Sequence, residues 1–380
     1  MKKIAMILHT NGLEYDDRIR KEMLTLKQLY PDVYFKIFAI IDNKHDICED
    51  GITDYGVDYT IPILKSRLKY KPATHLVAKA WDFYRTVSPQ LKDFDAIWCA
   101  DFDVVFFILL SNKRIVWDMH ELPEIFMGSI WRKLILKYLM KRCKIIIHAN
   151  ENRLNYLRTN NAISNVENHL IIRNFPNFND KAQETDDTLN TFKMWKGDAT
   201  CIYLQGLNDR SRSAIEAVTA VMNTKGCKGV VVGKFKDDCK QELYNKYGEN
   251  LNARIFFTGM VPQQITPHYI KECTASLILY KNTSPNNYYC EPNRMFQSIV
   301  NDCPVVVGCN PPMRDLVEQY GFGVVLKDDG RDPVIISKAL DYVIENIDPI
   351  KENILRNKTC ILWEQQIPVF HNIMKTLFRY

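Results

Sequence analysis

The chain has 380 residues, 46% of them apolar, and a formal net charge of +5 at pH 7. This length and apolar content predict about two domains with buried cores and exclude a largely disordered protein. The positive charge is mild and forms no dense basic stripe, so we do not expect a nucleic-acid-binding protein.

The first half of the chain predicts an α/β domain. Apolar runs alternate with helical patterns, as in a parallel sheet that is covered on both faces. Strands are expected at Lys3–Leu8, Tyr34–Ile41, Tyr59–Leu64, Ala96–Ala100, Arg114–Asp118 and Ile145–Ala149.

The helix after the first strand is predicted at Asp17–Tyr30, with Asp16 and Asp17 capping its start. One face packs on the sheet, because apolar residues recur at steps of 4, 3 and 4 in Ile19, Met23, Leu26 and Tyr30. The turn before it lacks the G-x-G-x-x-G fingerprint, which argues against dinucleotide binding there.

A polar segment separates this half from a second alternation of strands and helices. The predicted boundaries are 1–175 for the first domain, 176–198 for a linker, 199–360 for the second domain and 361–380 for a last helix. The second set of strands is expected at Thr200–Leu204, Gly229–Val232, Ile255–Thr258, Ala275–Leu279, Pro304–Val307 and Gly323–Leu326.

The cysteines and the N-terminal residues indicate the cellular compartment of the protein. Eleven cysteines, an odd number without a C-x-x-C pair, favour a reducing compartment over a disulfide scaffold, and no zinc site is suggested. The apolar run after Lys3 is shorter than a signal-peptide core, and no stretch approaches the roughly 20 apolar residues of a membrane span. We therefore expect a cytoplasmic protein.

A short helix predicted at Pro292–Val300 has the chemistry of a phosphate site. Pro292 suits a first helical turn. Its apolar residues form one stripe and leave three polar residues, Asn293, Arg294 and Gln297, on the other side. Free N–H groups, the positive end of the helix dipole and an arginine converge there, which suits a phosphate.

A histidine between two carboxylates follows the strand Arg114–Asp118, in the loop Asp118-Met119-His120-Glu121. Strand-end loops carry functional groups in α/β domains. One interpretation places His120 at a reaction centre, held by Asp118 or Glu121. The other makes it a structural histidine that satisfies a loop carbonyl.

These motifs together resemble GT-B glycosyltransferases, especially the large retaining family 4. The segments are DMHE, FFTG and PNRMFQSIVNDCPVVV, although Tyr289 and Gln297 stand where members usually carry two glutamates. The resemblance implies an α/β GT-B fold, with two Rossmann-like domains facing each other across a cleft and a C-terminal helix crossing back to the first domain.

The resemblance also implies site residues. It assigns catalysis to His120 and Glu121. It assigns the nucleotide-sugar to Gly206, Arg210, Arg212, Gly259, Asn293, Arg294 and Gln297. Arg210 and Arg212 are alternatives for one cation beside the diphosphate. Arg18 would lie near the cleft, or else pair on the surface with Asp16 or Glu22.

We expect no metal and no cofactor beyond the donor substrate. The sequence Asp101-Phe102-Asp103 looks like the metal-holding D-x-D of GT-A enzymes, but it lies far along the chain from the inferred donor site. Without a metal, arginines and helix N-termini would stabilise the leaving diphosphate. Lining the acceptor side of the cleft, or capping the next helix, is the role we expect for these aspartates.

The predicted function is transfer of a sugar from a nucleoside diphosphate to a glycan or lipid-linked acceptor, with retention, in surface polysaccharide biosynthesis. A nucleotide-sugar epimerase and an inactive nucleotide-sugar-binding protein are the alternatives. Two basic amphipathic segments, Lys65–Arg85 and Ile130–Lys144, could lie on the inner face of the cell membrane or simply face the core.

Overall fold

The computed structural model describes residues 1–10, 12–13, 16–41, 49–63, 76–101, 104–163, 168–177, 187–207 and 209–378. The chain forms two compact units. Unit 1 comprises Met1–Arg173 together with Gln366–Tyr380, and unit 2 comprises Asn174–Gln365.

A mainly parallel sheet forms the centre of unit 1. Its described strands are β1 (Lys2–Thr10), β2 (Val33–Ile41), β3 (Glu49–Ile52), β4 (Asp58–Ile61), β5 (Ala96–Ala100), β6 (Arg114–Met119), β7 (Ile145–His148) and β8 (His169–Ile171). Their order is β3-β4-β2-β1-β5-β6-β7-β8, and only β3 runs antiparallel to its neighbour. The strand order reverses between β1 and β5, so their carboxyl ends flank a crevice of the kind that binds ligands in such sheets.

Helices connect these strands in unit 1. They are α1 (Asp17–Leu29), α2 (Leu76–Val87), α3 (Val105–Leu110), α4 (Glu124–Met127), α5 (Ile130–Arg142) and α6 (Glu151–Thr159). Asp16 caps α1 by accepting a hydrogen bond from the Ile19 N–H at 3.3 Å. The residues Ile19, Met23 and Leu26 are fully buried, as their spacing predicts.

Unit 2 contains a second sheet, in which every described neighbouring pair of strands is parallel. The strands are β9 (Cys201–Gln205), β10 (Lys228–Val232), β11 (Ile255–Gly259), β12 (Ala275–Ile278), β13 (Val305–Val307) and β14 (Gly323–Val325), in the order β11-β10-β9-β12-β13-β14. Alternate residues of β9 enter different cores: Ile202 lies in one and Tyr203 in the other. The sheet is therefore covered on both faces.

The helices of unit 2 are α7 (Asp187–Lys196), α8 (Ala214–Asn223), α9 (Asp237–Tyr247), α10 (Asn250–Arg254), α11 (Thr266–Lys271), α12 (Pro285–Tyr288), α13 (Asn293–Val300), α14 (Pro311–Tyr320), α15 (Pro333–Glu345) and α16 (Ile347–Asn357). Helix α7 lies in the segment predicted as a linker, and its Leu189 and Phe192 are buried in a core of unit 2. Pro292 is extended and directly precedes α13.

The last helix, α17 (Ile367–Phe378), belongs to unit 1. The Phe370 ring stacks on Trp98 of β5, with 6.4 Å between ring centroids, and Arg114 of β6 donates a hydrogen bond to the Leu377 carbonyl. The predicted return of the C-terminal helix to the first domain is thus confirmed. It begins at residue 367, after two short 3-10 turns, rather than at residue 361.

Every strand predicted from the sequence corresponds to a strand in the structure, whereas β3 and β8 are not among the predicted ones. The short strand β3 has exposed or half-exposed residues, so it carries no apolar pattern. Among the described residues, no helix combines the length and the apolar content needed to cross a membrane.

Candidate functional site

In unit 2, the carboxyl ends of β9 and β12 lie side by side, where the strand order reverses. Gly206 directly follows β9 and has a φ of +65°. Tyr280 follows β12 by two residues and is buried. Ligands of open α/β sheets bind at such a reversal point, and two of the predicted arginines reach it.

Arg294 approaches this point from the first turn of α13. Its side chain is almost buried, with 7% of the residue exposed. The Nη2 group donates to the Leu279 carbonyl at 3.5 Å, and the guanidinium lies 4.8 Å from the centroid of the Tyr280 ring. Its Nε is buried without a hydrogen-bond partner. Burial, together with the nearby charge of Arg212, lowers the pKa of Arg294.

Arg212 follows Gly206 by six residues and reaches the same ring. Its Nη1 donates to the Tyr280 hydroxyl at 3.2 Å, and its guanidinium is also 4.8 Å from the ring centroid. A Cβ at residue 206 would overlap Arg294 Nη1 and lie 3.7 Å from Arg212 Nη1. The two guanidinium groups therefore meet at this glycine.

Neither Arg212 nor Arg294 forms an ion pair with a described acidic residue. Two positive charges converging at a largely buried point without a counter-ion are unfavourable for the protein alone. An anion with several oxygen atoms would satisfy both, since guanidinium groups pair well with phosphate oxygens.

Arg210 and Arg212, the two alternatives for the cation beside the diphosphate, lie in different surroundings in the structure. Arg210 is exposed and forms an ion pair with Glu242 of α9. Arg212, two residues later, points to Tyr280. The turn that divides them is fixed by Asp209, whose Oδ1 accepts a hydrogen bond from the Ser211 N–H at 2.9 Å.

The remaining predicted donor residues are placed as follows. Asn293 and Gln297 lie half-buried on α13, and neither side chain has a hydrogen-bond partner among the described residues. Gly259 ends β11, which is separated from β9 by β10. Its φ is +70°, and its carbonyl accepts a hydrogen bond from the Gly233 N–H at 2.9 Å.

In unit 1, the predicted histidine loop is held by a buried aspartate. Asp118, at the end of β6, is fully buried. It accepts two hydrogen bonds from Arg18 of α1, from Nε at 3.0 Å and from Nη2 at 2.7 Å. Its Oδ2 also lies 2.9 Å from Nε2 of His120. Although burial opposes ionisation, Arg18 and His120 hold the pKa of this carboxyl well below its usual range.

His120 lies between two carboxylates. Its Nδ1 is 3.5 Å from Asp101 Oδ2, and its backbone N–H donates to Asp101 Oδ1 at 3.2 Å. Burial favours the neutral ring, but the charges of Asp101 and Asp118 outweigh it and raise the pKa of His120 to about 10. The ring is therefore a cation near pH 7, and it has no lone pair for accepting a proton.

Of the two alternatives for Arg18, the surface position is wrong, because the side chain is buried, although the pairing with Glu22 that it named is present. Its Nη1 donates to the Ile172 carbonyl at 2.8 Å, and its Nε lies 3.1 Å from Glu22 Oε1. Burial, and then the charge of Asp118, raise the pKa of Glu22 well above its usual value. Sequence reasoning named Glu22 only as a surface partner. Its spacing from Ile19 and Leu26, which places a carboxylate on the core face of α1, was the available signal.

Glu121, the second predicted catalytic residue, is exposed, and it forms neither an ion pair nor a side-chain hydrogen bond with a described residue. The structure therefore identifies Asp118, and not Glu121, as the carboxylate that holds His120. Asp101 has a φ of 60° and contacts the histidine loop, while Phe102 and Asp103 lie outside the described residues. No group of three acidic, His or Cys side chains suited to a metal ion occurs in the described ranges.

Known structures share this architecture over their full length. HepE from Anabaena, in a complex with UDP, superposes with a TM-score of 0.75 at 12% identity, covering 99% of this chain and 100% of that one. A sucrose-phosphate synthase from Thermosynechococcus elongatus gives 0.77 at 15% identity, covering 100% of both chains. A UDP-forming trehalose-phosphate synthase from Burkholderia xenovorans gives 0.68 at 11% identity, covering 99% of both.

The chain has the GT-B fold. No family model and no curated protein sequence matches it. Because the identities to the solved structures are so low, the likeness establishes the architecture alone. Membership of the retaining family 4 stays a prediction from the sequence motifs.

Proposed function

We propose that the protein is a glycosyltransferase whose donor is a nucleoside diphosphate sugar. The observation that carries this proposal is the convergence of Arg212 and Arg294 at Gly206, without a carboxylate partner in the described part of the chain. A diphosphate supplies the missing negative charge at the end of the sheet where α/β proteins bind ligands.

The fold and the contents of similar structures support a sugar nucleotide over other diphosphates. Structures of HepE, which shares the architecture, contain UDP, UDP with glucose, and UDP-glucose. The two synthases that share the fold are named for making sugar phosphates. As acceptor we propose a glycan or a lipid-linked sugar in surface polysaccharide biosynthesis, as the sequence motifs imply.

The arginine pair would act on the leaving group. As the bond between the anomeric carbon and the phosphate oxygen breaks, negative charge grows on the diphosphate, and fixed guanidinium groups stabilise it. The acceptor oxygen forms the new bond to the anomeric carbon, and its proton passes to the departing phosphate oxygen. This route gives retention and needs no protein base.

The state of His120 agrees with that route. Held by Asp118 and Asp101 as an imidazolium, it cannot accept a proton near pH 7. We therefore assign it no role as a general base. A protonated ring would instead contribute positive charge, since both of its N–H groups face carboxylates.

Thermal-shift measurements with UDP-, GDP- and ADP-sugars, each with and without EDTA, test donor binding. One nucleotide series should stabilise the protein, and EDTA should leave the shift unchanged. Arg212→Ala and Arg294→Ala should each weaken binding of the matching nucleoside diphosphate by about tenfold or more, because each removes a charged donor. Binding of the nucleoside should change little.

Arg210→Ala is the matched control, since this arginine is two residues away and pairs with Glu242 instead. It should bind the diphosphate as the wild type does. If Arg210→Ala and Arg212→Ala lose equal affinity, the assignment of the phosphate site is wrong.

The reaction itself is tested by incubating the protein with the stabilising donor alone. A transferase should release free sugar slowly, whereas an epimerase would release an isomeric sugar nucleotide. An inactive binding protein would show the thermal shift and leave the donor intact. Either of the last two results contradicts the proposed function while leaving the arginine site in place.

A further inference from the structure

Helix α5 is apolar on two opposite sides, and only one of them is covered. Leu136, Leu139 and Met140 are fully buried against unit 1. The opposite side carries Ile130, Trp131, Leu134, Ile135 and Tyr138, all of them exposed; we call these five residues the α5 face. Large apolar side chains on a helix normally pack against a core, so the α5 face lacks the cover that its composition requires.

The exposure is large for side chains of this size. Trp131 is 78% exposed and Ile130 is 76% exposed, and Tyr138 is 53% exposed. The amphipathic segment Ile130–Lys144 also contains Leu139, which differs from Trp131 in its position around the helix. The structure places Leu139 in the core instead, because it lies about 80° further round a helix of 3.6 residues per turn.

The charge around the α5 face has one sign. Between residues 130 and 144 there are six basic residues and no acidic one: Arg132, Lys133, Lys137, Lys141, Arg142 and Lys144. None of the six forms an ion pair with a described residue. Three of them donate to backbone carbonyls, which leaves their positive charge uncompensated.

Two helices that contact α5 also carry an exposed apolar residue each. Ile125 of α4 is exposed, and α4 contacts α5. Leu110 of α3, which also contacts α5, is exposed as well. The other basic segment that the sequence singled out, Lys65–Arg85, lies outside the described residues as far as residue 75.

We propose that the α5 face docks on an anionic lipid bilayer. Exposed apolar and aromatic side chains flanked by uncompensated lysines and arginines match the boundary between acyl chains and anionic headgroups. Trp and Tyr are favoured at that depth. A second copy of this chain fits less well, because it would bring the same excess of positive charge against itself.

This inference goes beyond the proposed function and does not depend on it, since binding to vesicles requires no glycosyl transfer. The test is co-sedimentation of the full chain with two kinds of vesicle. One kind consists of phosphatidylcholine alone, and in the other about a third of the lipid is phosphatidylglycerol, whose negative charge attracts basic segments. Binding should occur on the anionic vesicles, should be weak on the neutral ones, and should fall as salt rises.

Two double variants separate the contributions. Trp131→Glu with Ile135→Glu should lower the vesicle partition coefficient by about tenfold or more, because two inserting side chains are lost. Lys137→Gln with Lys141→Gln should lower it by a similar factor on anionic vesicles only. Met194→Glu, which changes an equally exposed apolar residue of unit 2, is the matched control and should bind like the wild type.

Thermal melting and sedimentation velocity complete the test. All variants should melt within a few degrees of the wild type, since the substituted side chains are exposed or half-buried. The proposal is overturned if the wild type ignores anionic vesicles, or if the glutamate variant binds them as the wild type does. A wild-type dimer that the glutamate substitutions dissociate would also overturn it, because the face would then bind a second copy.

Discussion

Arg18 and Asp118 form a bidentate pair, in which Nε lies 3.0 Å from Oδ2 and Nη2 lies 2.7 Å from Oδ1. One hundred residues separate them in the chain, and both are buried. The pair ties α1 to the end of β6, from which the loop of His120 begins. It therefore sets the position of the histidine, whose Nε2 lies 2.9 Å from Asp118 Oδ2, the oxygen that also accepts from Arg18 Nε.

Replacing Asp118 by Asn should destabilise the protein strongly. The change removes the bidentate partner of the buried Arg18, which keeps its contact with Glu22, and it deprives His120 of one of its two carboxylates, at a cost of about 3–5 kcal/mol. Urea denaturation measures the free energy of unfolding. NMR titration of the imidazole should show that the pKa of His120 is lower in the variant than in the wild type. Glu121→Gln, in the same loop but exposed, should change stability by less than about 0.5 kcal/mol.

The stability that His120 provides should depend on pH. The pKa of His120 is raised from 6.5 to about 10, so the folded protein binds a proton there that the unfolded chain releases. The contribution is fully present below pH 6.5 and is lost as the pH rises through about 10. The difference in unfolding free energy between wild type and His120→Gln should shrink over that range. A difference that stays constant would show that the ring is neutral in the folded protein.

Gly206→Ala should impair diphosphate binding more than stability. A methyl group at this residue overlaps Arg294 Nη1, and the φ of +65° adds backbone strain. Displacing one charged donor should weaken UDP binding, or binding of whichever diphosphate stabilises the protein, by about tenfold or more. Calorimetric titration gives the affinity.

Gly226→Ala provides the control for backbone strain. Its φ is +73°, and a Cβ there would meet nothing within 4 Å. Both variants should lose about 1 kcal/mol of stability, but only the change at residue 206 should affect binding. If both variants lose diphosphate affinity to a comparable extent, the loss at residue 206 does not come from displacement of Arg294.

Tyr280 should hold the two arginines mainly through its ring. Both guanidinium groups lie 4.8 Å from the ring centroid, whereas only Arg212 bonds the hydroxyl. Tyr280→Phe should therefore weaken diphosphate binding only a few-fold, and Tyr280→Leu should weaken it further, since a cation over an aromatic ring gains about 0.5–2 kcal/mol. Equal affinities for the two variants would exclude a contribution from the ring.

The fold was largely accessible from the sequence, because buried parallel strands are apolar on both sides. The run Ala96–Ala100 shows this most clearly: its bounds agree with β5, and all five residues are buried. The exposed strand β3 has no such pattern. The sequence predicts a linker where α7 lies, because acidic and polar residues there outnumber the buried Leu189 and Phe192.

The candidate site was accessible only in part. The motif around Arg294 indicates an anion site by its local chemistry, since a helix start and an arginine coincide within a few residues. The choice between Arg210 and Arg212 depends on which one meets Glu242 and which one meets Tyr280, and these partners are distant in sequence. The pairing of Arg18 with Asp118 is likewise set by the packing of α1 on the sheet.

The return of α17 to unit 1 has a consequence for synthesis on the ribosome. Residues 367–378 are translated after all of unit 2, yet Phe370 covers Trp98 in the centre of the first sheet. In the nascent chain, Trp98 of β5 therefore lacks its stacking partner until about 270 residues beyond it have been translated, and the first unit stays incomplete for that time.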